Sequence, residues 1–454
     1  MESCSAMEST SCLKFSLMSL IWIIVLMNEM FGYKACLETE RTALLEIKSF
    51  FISVSDIVYD DKILHSWVGE DDGMPSDYCD DWEGVKCNAT TRRVMQLSLN
   101  HTQRLNYFDS ASASLLINMS LFHPFKELQS LDLSDNWFTC ICEKRDYDGF
   151  GSLKQLKMLN LGFNDFNDSI LPYLNTLTSL TTLILYSNSI EGSRTKQGLA
   201  NLRYLQVLDL SSNHNITSGS LTRLGLANLT NLKELDLRGC GITTIQGLAK
   251  LKNLEALDLS FNYYLHGSLE GLANLTNLQV LDLSDNQNLT TLARGGFVDL
   301  PNLKILDLRD CGITTTQGLA NLTNLQVLDL SGNQNLTTLG FADLPNLKTV
   351  DLGSCGITTI QGLANLTNLQ VLDLSGNQNL TTLAHVGFAD LPNLKTLDLG
   401  SCGITTIQGL ANLTNLQVLD LSGNQNLTTL GFAGLPNLKT LDLGYCRITT
   451  IQGI

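Results

Sequence analysis

From residue 128 onward the apolar positions follow one pattern: a leucine, two residues, a second leucine, one residue, a third leucine, then two residues and an Asn or Cys. The first leucines of successive copies are Leu128, Leu156, Leu180, Leu205, Leu232, Leu254, Leu278, Leu303, Leu325, Leu347, Leu369, Leu394, Leu416 and Leu438, spaced 22 to 28 residues apart. Within each copy the Leu-x-Leu pair alternates with a period of two. That predicts a short strand whose leucines face inward and whose intervening residues face outward. In "LQVLDLSGN" the rule places Leu328 and Leu330 inside and Asp329 and Ser331 outside. The chain must then return to start the next strand, and Leu336, Leu339 and Leu347 fill the interior of that return. One copy cannot bury this apolar set alone, whereas stacked neighbours can.

A pattern of this spacing, repeated fourteen times, is identified as the leucine-rich repeat. The expected fold is an α/β repeat: a right-handed leucine-rich-repeat solenoid, curved, with a parallel concave sheet and a helical N-terminal cap. Repeats are expected over 94–454, regular from Leu128, with the last one incomplete. At ~4.8 Å between strands, the concave face would extend roughly 65 Å, a platform for a long ligand. In "TERTALLEIKSFF" residues Ala43, Leu44, Ile47, Phe50 and Phe51 share one helical stripe, with acids in the first turn and Lys48 in the last, as the helix dipole favours. This helix would cover the open end of the array.

"CLETERTALLEIK" (36–48), "LHSW" (64–67), "CDDWEGVKCN" (79–88) and "RVMQLSL" (93–99) resemble the N-terminal cap of plant leucine-rich-repeat receptors. "LFHPFKELQSLDLSDNWF" and "LPYLNTLTSLTTLILYSNSIEGS" are similar to plant receptor-like proteins in particular. The resemblance places the cap at 33–93 and implies a cell-surface recognition ectodomain that signals through a partner kinase. It also implies a Cys79–Cys87 disulfide, with Tyr78 standing where the family cap has another cysteine, so that Cys36 lacks its usual partner. The plant "GxIP" stretch is replaced by "TTIQGLANL" or "TTLGFADLPNL", which argues against a regular second sheet. The chain stops at Ile454, soon after its last repeat strand, and so reads as a truncated product.

Charge and targeting sharpen the compartment. The formal net charge is −16, and residues 37–90 hold 13 acidic against four basic side chains. Nucleic acid is excluded as a partner, because phosphate contacts need clustered Lys and Arg. Lys14 followed by the apolar run 15–27 reads as a secretory signal, with residues 1–32 removed. The mature chain is therefore expected in the secretory pathway, extracellular or at the cell surface, with a plasma-membrane position if a span follows. Asn-x-Ser/Thr sequons are abundant, and Asn88, Asn118, Asn167, Asn215, Asn228, Asn274 and Asn365 are N-glycosylation candidates.

The remaining cysteines pose a chemical question. Cys240, Cys311, Cys355, Cys402 and Cys446 occupy the last position of the repeat motif, where other copies have Asn, as at Asn333, Asn377 and Asn424. An inward side chain there must donate to backbone carbonyls of the turning coil. Asn does this well, and a thiol does it weakly while tolerating burial. From Cys311 onward consecutive members lie two repeats apart, roughly 10 Å, beyond disulfide reach. They are expected as a core ladder. Cys140 and Cys142 fall in a loop after the first repeat strand, with a bond to Cys36 as the alternative to free thiols.

No catalytic constellation, cofactor motif or metal-ligand spacing is present, so an enzyme is not expected. A column of aspartates on the outer strand face, Asp236 to Asp442, reads as a surface texture neutralised by Lys233, Lys304, Lys348, Lys395 and Lys439. Residues 319–362, 363–409 and 410–453 are near-copies, apart from the insertion "AHV" and substitutions such as Val350, Tyr445 and Arg447, and their repeated outward positions are mostly small and polar. Specificity is expected upstream, where Met158, Phe163, Ile184, Tyr186, Arg238, Phe261 and Arg309 face outward. The expected function is recognition of an extracellular peptide, glycan or protein in defence or developmental signalling with a co-receptor kinase. Its alternatives are a secreted inhibitor of a microbial wall-degrading enzyme and an intracellular leucine-rich-repeat adaptor.

Overall fold

The computed structural model describes residues 38–55, 63–68, 77–103, 115–142, 149–193, 198–266, 269–290, 297, 300–341, 344–383, 388, 391–431 and 435–452. The expected signal segment and Cys36 lie outside them. Among the described residues no helix is long and apolar enough to cross a membrane. The chain divides into two compact units, 1–159 and 160–454.

In the first unit a helix spans 38–54 and buries Ala43, Leu44, Ile47 and Phe51. Phe50 is half-buried and stacks on Phe138, with ring centroids 6.3 Å apart. The expected dipole roles are corrected at two positions. Lys48 lies before the last turn and donates to the Trp67 carbonyl at 2.7 Å. Glu40 is turned inward, 1% exposed, and its Oε2 accepts the Val94 amide at 2.9 Å. Burial pushes its carboxyl up to about 6, against the pull of that amide and of Arg93. The helix is thus tied to the first repeat strand by a buried carboxylate.

Val85–Cys87 pairs antiparallel with Val94–Ser98, which runs parallel to Ser130–Asp132. A disulfide joins Cys79 to Cys87. Trp67 stacks on Trp82 at 5.5 Å, and the Arg41 guanidinium lies over the Trp82 ring. The segment 138–142 is not the loop expected from its sequence. Phe138–Cys142 is a strand parallel to Leu115–Asn118, with Phe138 fully buried. Cys140 is a half-buried free thiol.

In the second unit the strands from Thr182–Ile184 to Thr440–Asp442 form a parallel sheet in chain order. The register aligns equivalent residues, so Leu281 meets Leu306 and Asp282 meets Asp307. Each strand is three residues long, and its central Leu or Val is 0–2% exposed up to Leu419. Short 3-10 turns such as Gln246–Leu248, Gln317–Leu319 and Gln361–Leu363 occupy the return. Their leucines close the core from the side opposite the sheet. Outside the main sheet, Thr429–Gly431 pairs parallel with Thr450–Gln452 in a two-stranded fragment.

Candidate recognition surface

The recurring cysteines belong to the core. Cys240, Cys311, Cys355 and Cys402 are at most 8% exposed, and each Sγ donates to a leucine carbonyl one repeat earlier, at 3.0 to 3.4 Å. Cys446 makes the same bond to Leu421 at 3.0 Å but is half-buried. Burial pushes the thiols of Cys240, Cys311 and Cys355 up to about 12, so they stay protonated and unreactive.

Asparagine at the same position does more. Asn333 Nδ2 donates to the Leu308, Leu330 and Ser331 carbonyls, while its Oδ1 accepts the Cys311 and Ile313 amides of the preceding repeat. Asn377 and Asn424 repeat this geometry toward Ile357 and Ile404. Cys and Asn are therefore not interchangeable. A "CGI" turn leaves an amide that the next repeat's Asn must accept. An "NxxL" turn closes on itself, as Leu336 does on the Asn333 carbonyl at 2.9 Å. After such a turn a thiol suffices. Asn286 breaks the alternation: it follows the self-closed Asn262 turn, and its buried Oδ1 has no partner.

The aspartate column serves the backbone. Asp236, Asp258, Asp329 and Asp351 each accept, through Oδ1, the amide two residues ahead at 2.8 to 2.9 Å. Burial and the neighbouring aspartates push Asp236 and Asp351 up to about 6. The lysines do not neutralise this column. They sit in an adjacent one, where Lys304, Lys395 and Lys439 donate to Gln279, Gln370 and Gln417, and Lys233 pairs with Glu255 at 2.9 Å. Arg309 does reach the carboxylates, at 2.8 Å from Asp307 and 3.5 Å from Asp329. Like groups in register offer no convergence of acid, base and nucleophile. Among the described residues no cluster of ligating side chains could hold a metal ion.

The outward residues upstream are of a different kind. The position before each ladder residue adopts a left-handed backbone: Gly or Ser occupies it in most copies, as at Ser212, Gly239, Gly332 and Ser354, with Asp at Asp135, Asp285 and Asp310 and a tyrosine at Tyr445. Phe163 and Phe261 occupy it too, with φ of 53° and 58°, and are 47% and 39% exposed. A bulky side chain in this region costs on the order of 1 kcal/mol or more. These rings are held outward against local preference. Phe163 lies beside Tyr186, whose carbonyl accepts its amide at 2.8 Å. Tyr186 is half-buried because its ring covers Gly162, where any Cβ would collide with it. Ile184, at the end of the strand Thr182–Ile184, is half-buried, and Arg238 is exposed. Met158 is exposed in the first unit. Arg309 is exposed but engaged by its carboxylates.

Sequence reasoning missed three exposed tyrosines and a second ladder. Tyr204, Tyr263 and Tyr264 are 66%, 51% and 71% exposed. Asn231, Asn253, Asn277 and Asn302 each donate Nδ2 to a carbonyl of the preceding repeat at 2.7 to 2.9 Å. The signal was present, since an Asn precedes the first leucine of most copies and Tyr204 replaces it in one. Together with Tyr204, Gln206, Lys233, Glu255 and Lys304, these four asparagines line a groove of about 890 Å³ along the leading edge of the strands, and Tyr263 and Tyr264 lie outside it.

The sequons differ in setting. Asn228 and Asn274 are exposed at the ends of 3-10 turns, and Asn365 is exposed two residues beyond one. Asn118 and Asn167 cap such turns through Oδ1. Asn88 donates to Glu127, and Asn215 to Glu191.

Comparison with known proteins follows the same lines. Leucine-rich-repeat family models match residues 205–250, 252–313, 301–344, 345–387, 392–434 and 434–450. A leucine-rich-repeat N-terminal domain model matches 37–88. Receptor-like protein 14 of Arabidopsis thaliana is 42% identical over 184 residues, 39% of this chain and 18% of its own length. Receptor like protein 21 of the same plant is 38% identical over 198 residues, 43% of this chain and 19% of its own. The matched stretch thus spans about a fifth of these relatives. The structure of an internalin from Listeria monocytogenes superposes with a TM-score of 0.55 at 26% identity, covering 73% of this chain and 91% of the internalin.

Proposed function

The chain is a leucine-rich-repeat protein of the plant receptor-like group, and on that footing we propose that it recognises an extracellular peptide, glycan or protein through its outward strand face. The observation that carries this reading is the pair Phe163 and Phe261, exposed aromatics kept in left-handed positions where most other repeats use Gly, Ser or Asp and where Tyr445 is the third aromatic. Exposed aromatics make strong interface anchors, and the small polar residues that fill most outward positions of the copied repeats, Tyr445 apart, do not. Four inter-strand spacings separate the two rings, roughly 19 Å at ~4.8 Å each. The ligand is then an extended one, bridging Phe163 and Tyr186 at one end and Arg238 and Phe261 at the other. Signalling passes to a co-receptor kinase, and the setting is defence or developmental perception at the cell surface.

The test is an array of peptides, oligosaccharides and secreted proteins probed with the purified chain and with its Phe163→Ala/Phe261→Ala variant. A ligand whose affinity falls at least about 10-fold in the variant supports the reading. Equal binding by both proteins to every captured ligand sinks it. Capture of a wall-degrading enzyme with loss of that enzyme's activity selects the secreted inhibitor instead.

A further inference from the structure

The turn 261–266 presents three exposed aromatics on one short segment. Phe261 and Tyr263 meet edge to face at 6.3 Å, and Tyr264 is 71% exposed. The turn is also the place where the ladder is mismatched, because the buried Asn286 Oδ1 beyond it has no donor. Packing inside the fold does not explain rings that point out of it.

A sequon stands beside them. Asn288-Leu289-Thr290 is a complete acceptor sequence, Asn288 is exposed, and its Nδ2 lies 2.6 Å from the Tyr263 carbonyl. Nδ2 is the atom to which an N-linked sugar is attached, and a substituted amide keeps one hydrogen for that carbonyl. The repeat supplies an internal control. Asn215, Asn335, Asn379 and Asn426 are the equivalent sequons, and the residues equivalent to Tyr263 in the repeats before them are Ser189, Gly312, Gly356 and Gly403. Among these copies the position carries a ring before Asn288 alone, and there the attachment atom lies against the tyrosine's own carbonyl.

We propose that Asn288 carries an N-linked glycan whose first sugar packs its apolar face on the Tyr263 and Tyr264 rings, fixing the glycan over this turn. A pyranose presents C–H groups on one face and hydroxyls at its rim, which suits a tyrosine with an apolar face and a polar tip. The inference rests on passage through the secretory pathway, as the proposed function does. It does not depend on what the strand face binds.

The experiment uses the chain secreted from a eukaryotic host, with glycopeptide mass spectrometry at each sequon and hydroxyl-radical footprinting of Tyr263 and Tyr264. The expected result is occupancy at Asn288 and labelling of both tyrosines at least 3-fold slower than in Thr290→Ala, with protection retained in Thr290→Ser, which keeps the sequon. Occupancy at Asn335, Asn379 and Asn426 with none at Asn288 would overturn the site while leaving secretion intact. Occupancy with equal labelling in wild type and Thr290→Ala would overturn the packing and return the tyrosines to a protein partner. Absence of sugar from every sequon would remove the secretory reading itself.

Discussion

Asn333 Oδ1 accepts the amide hydrogen of Ile313, one repeat earlier, at 2.7 Å. The same atom also takes the Cys311 amide at 3.2 Å, whereas the equivalent oxygen of Asn286 takes nothing. Asn333→Cys should therefore strand two buried amides and cost about 2–4 kcal/mol, while Asn286→Cys should cost at least ~1 kcal/mol less. Urea unfolding of the two variants checks the order. Equal losses would show that the acceptor bond is immaterial.

The thiols give a second expectation. Cys240, Cys311, Cys355 and Cys402 are buried, with burial holding each thiol above its ordinary range. Alkylation of the native protein at pH 8 should leave these four unmodified and label Cys446 first, since it is half-buried. Peptide mapping reads this directly. Labelling of all five at one rate contradicts a core ladder.

Acid should stabilise the folded chain over a defined window. Glu40, Asp236 and Asp351 are all pushed up to about 6 by burial, so the native state holds more protons than the unfolded chain between about pH 4 and 6. Stability contributed by these groups is present below their unfolded values and is lost as pH rises through about 6. The melting temperature should rise as pH falls from 7 to 5. Asp351→Asn keeps the Oδ1 acceptor for Gly353 and removes the charge, so it should raise stability at pH 7 by on the order of 1 kcal/mol and flatten the slope.

Display of the aromatic rings should trade against stability. Phe261→Gly relieves a left-handed phenylalanine and should stabilise by about 1 kcal/mol, although glycine gives back part of this through the entropy of the unfolded chain. The same change should weaken ligand binding. A calorimetric melt beside a binding titration separates the two effects, and a destabilised variant would show that the ring is held by packing instead.

The Cys79–Cys87 bond closes a loop with a sequence separation of 8. Cys79→Ser/Cys87→Ser should lower the stability of the first unit by about 2–3 kcal/mol on the loop-entropy model. Hydrogen exchange of the helix 38–54 provides the measurement, with protection falling there and unchanged beyond residue 160.

The sequence by itself determined the strands, their register and the inward ladder, because Leu-x-Leu alternation and stacking of like copies are local rules repeated many times. It also carried the cap, through residues such as Trp67, Trp82 and the cysteine pair. It did not decide why Asn and Cys alternate, because the partner of each ladder side chain belongs to the neighbouring repeat, 20 or more residues away. Nor did it place Glu40, whose spacing suited a helix start but whose burial depends on Val94 packing against it. Tertiary structure alone assigned the lysines to the glutamine column, turned 138–142 into a strand, and set Tyr263 beside Asn288. Those contacts arise between residues far apart in the chain, and no periodicity within one repeat encodes them.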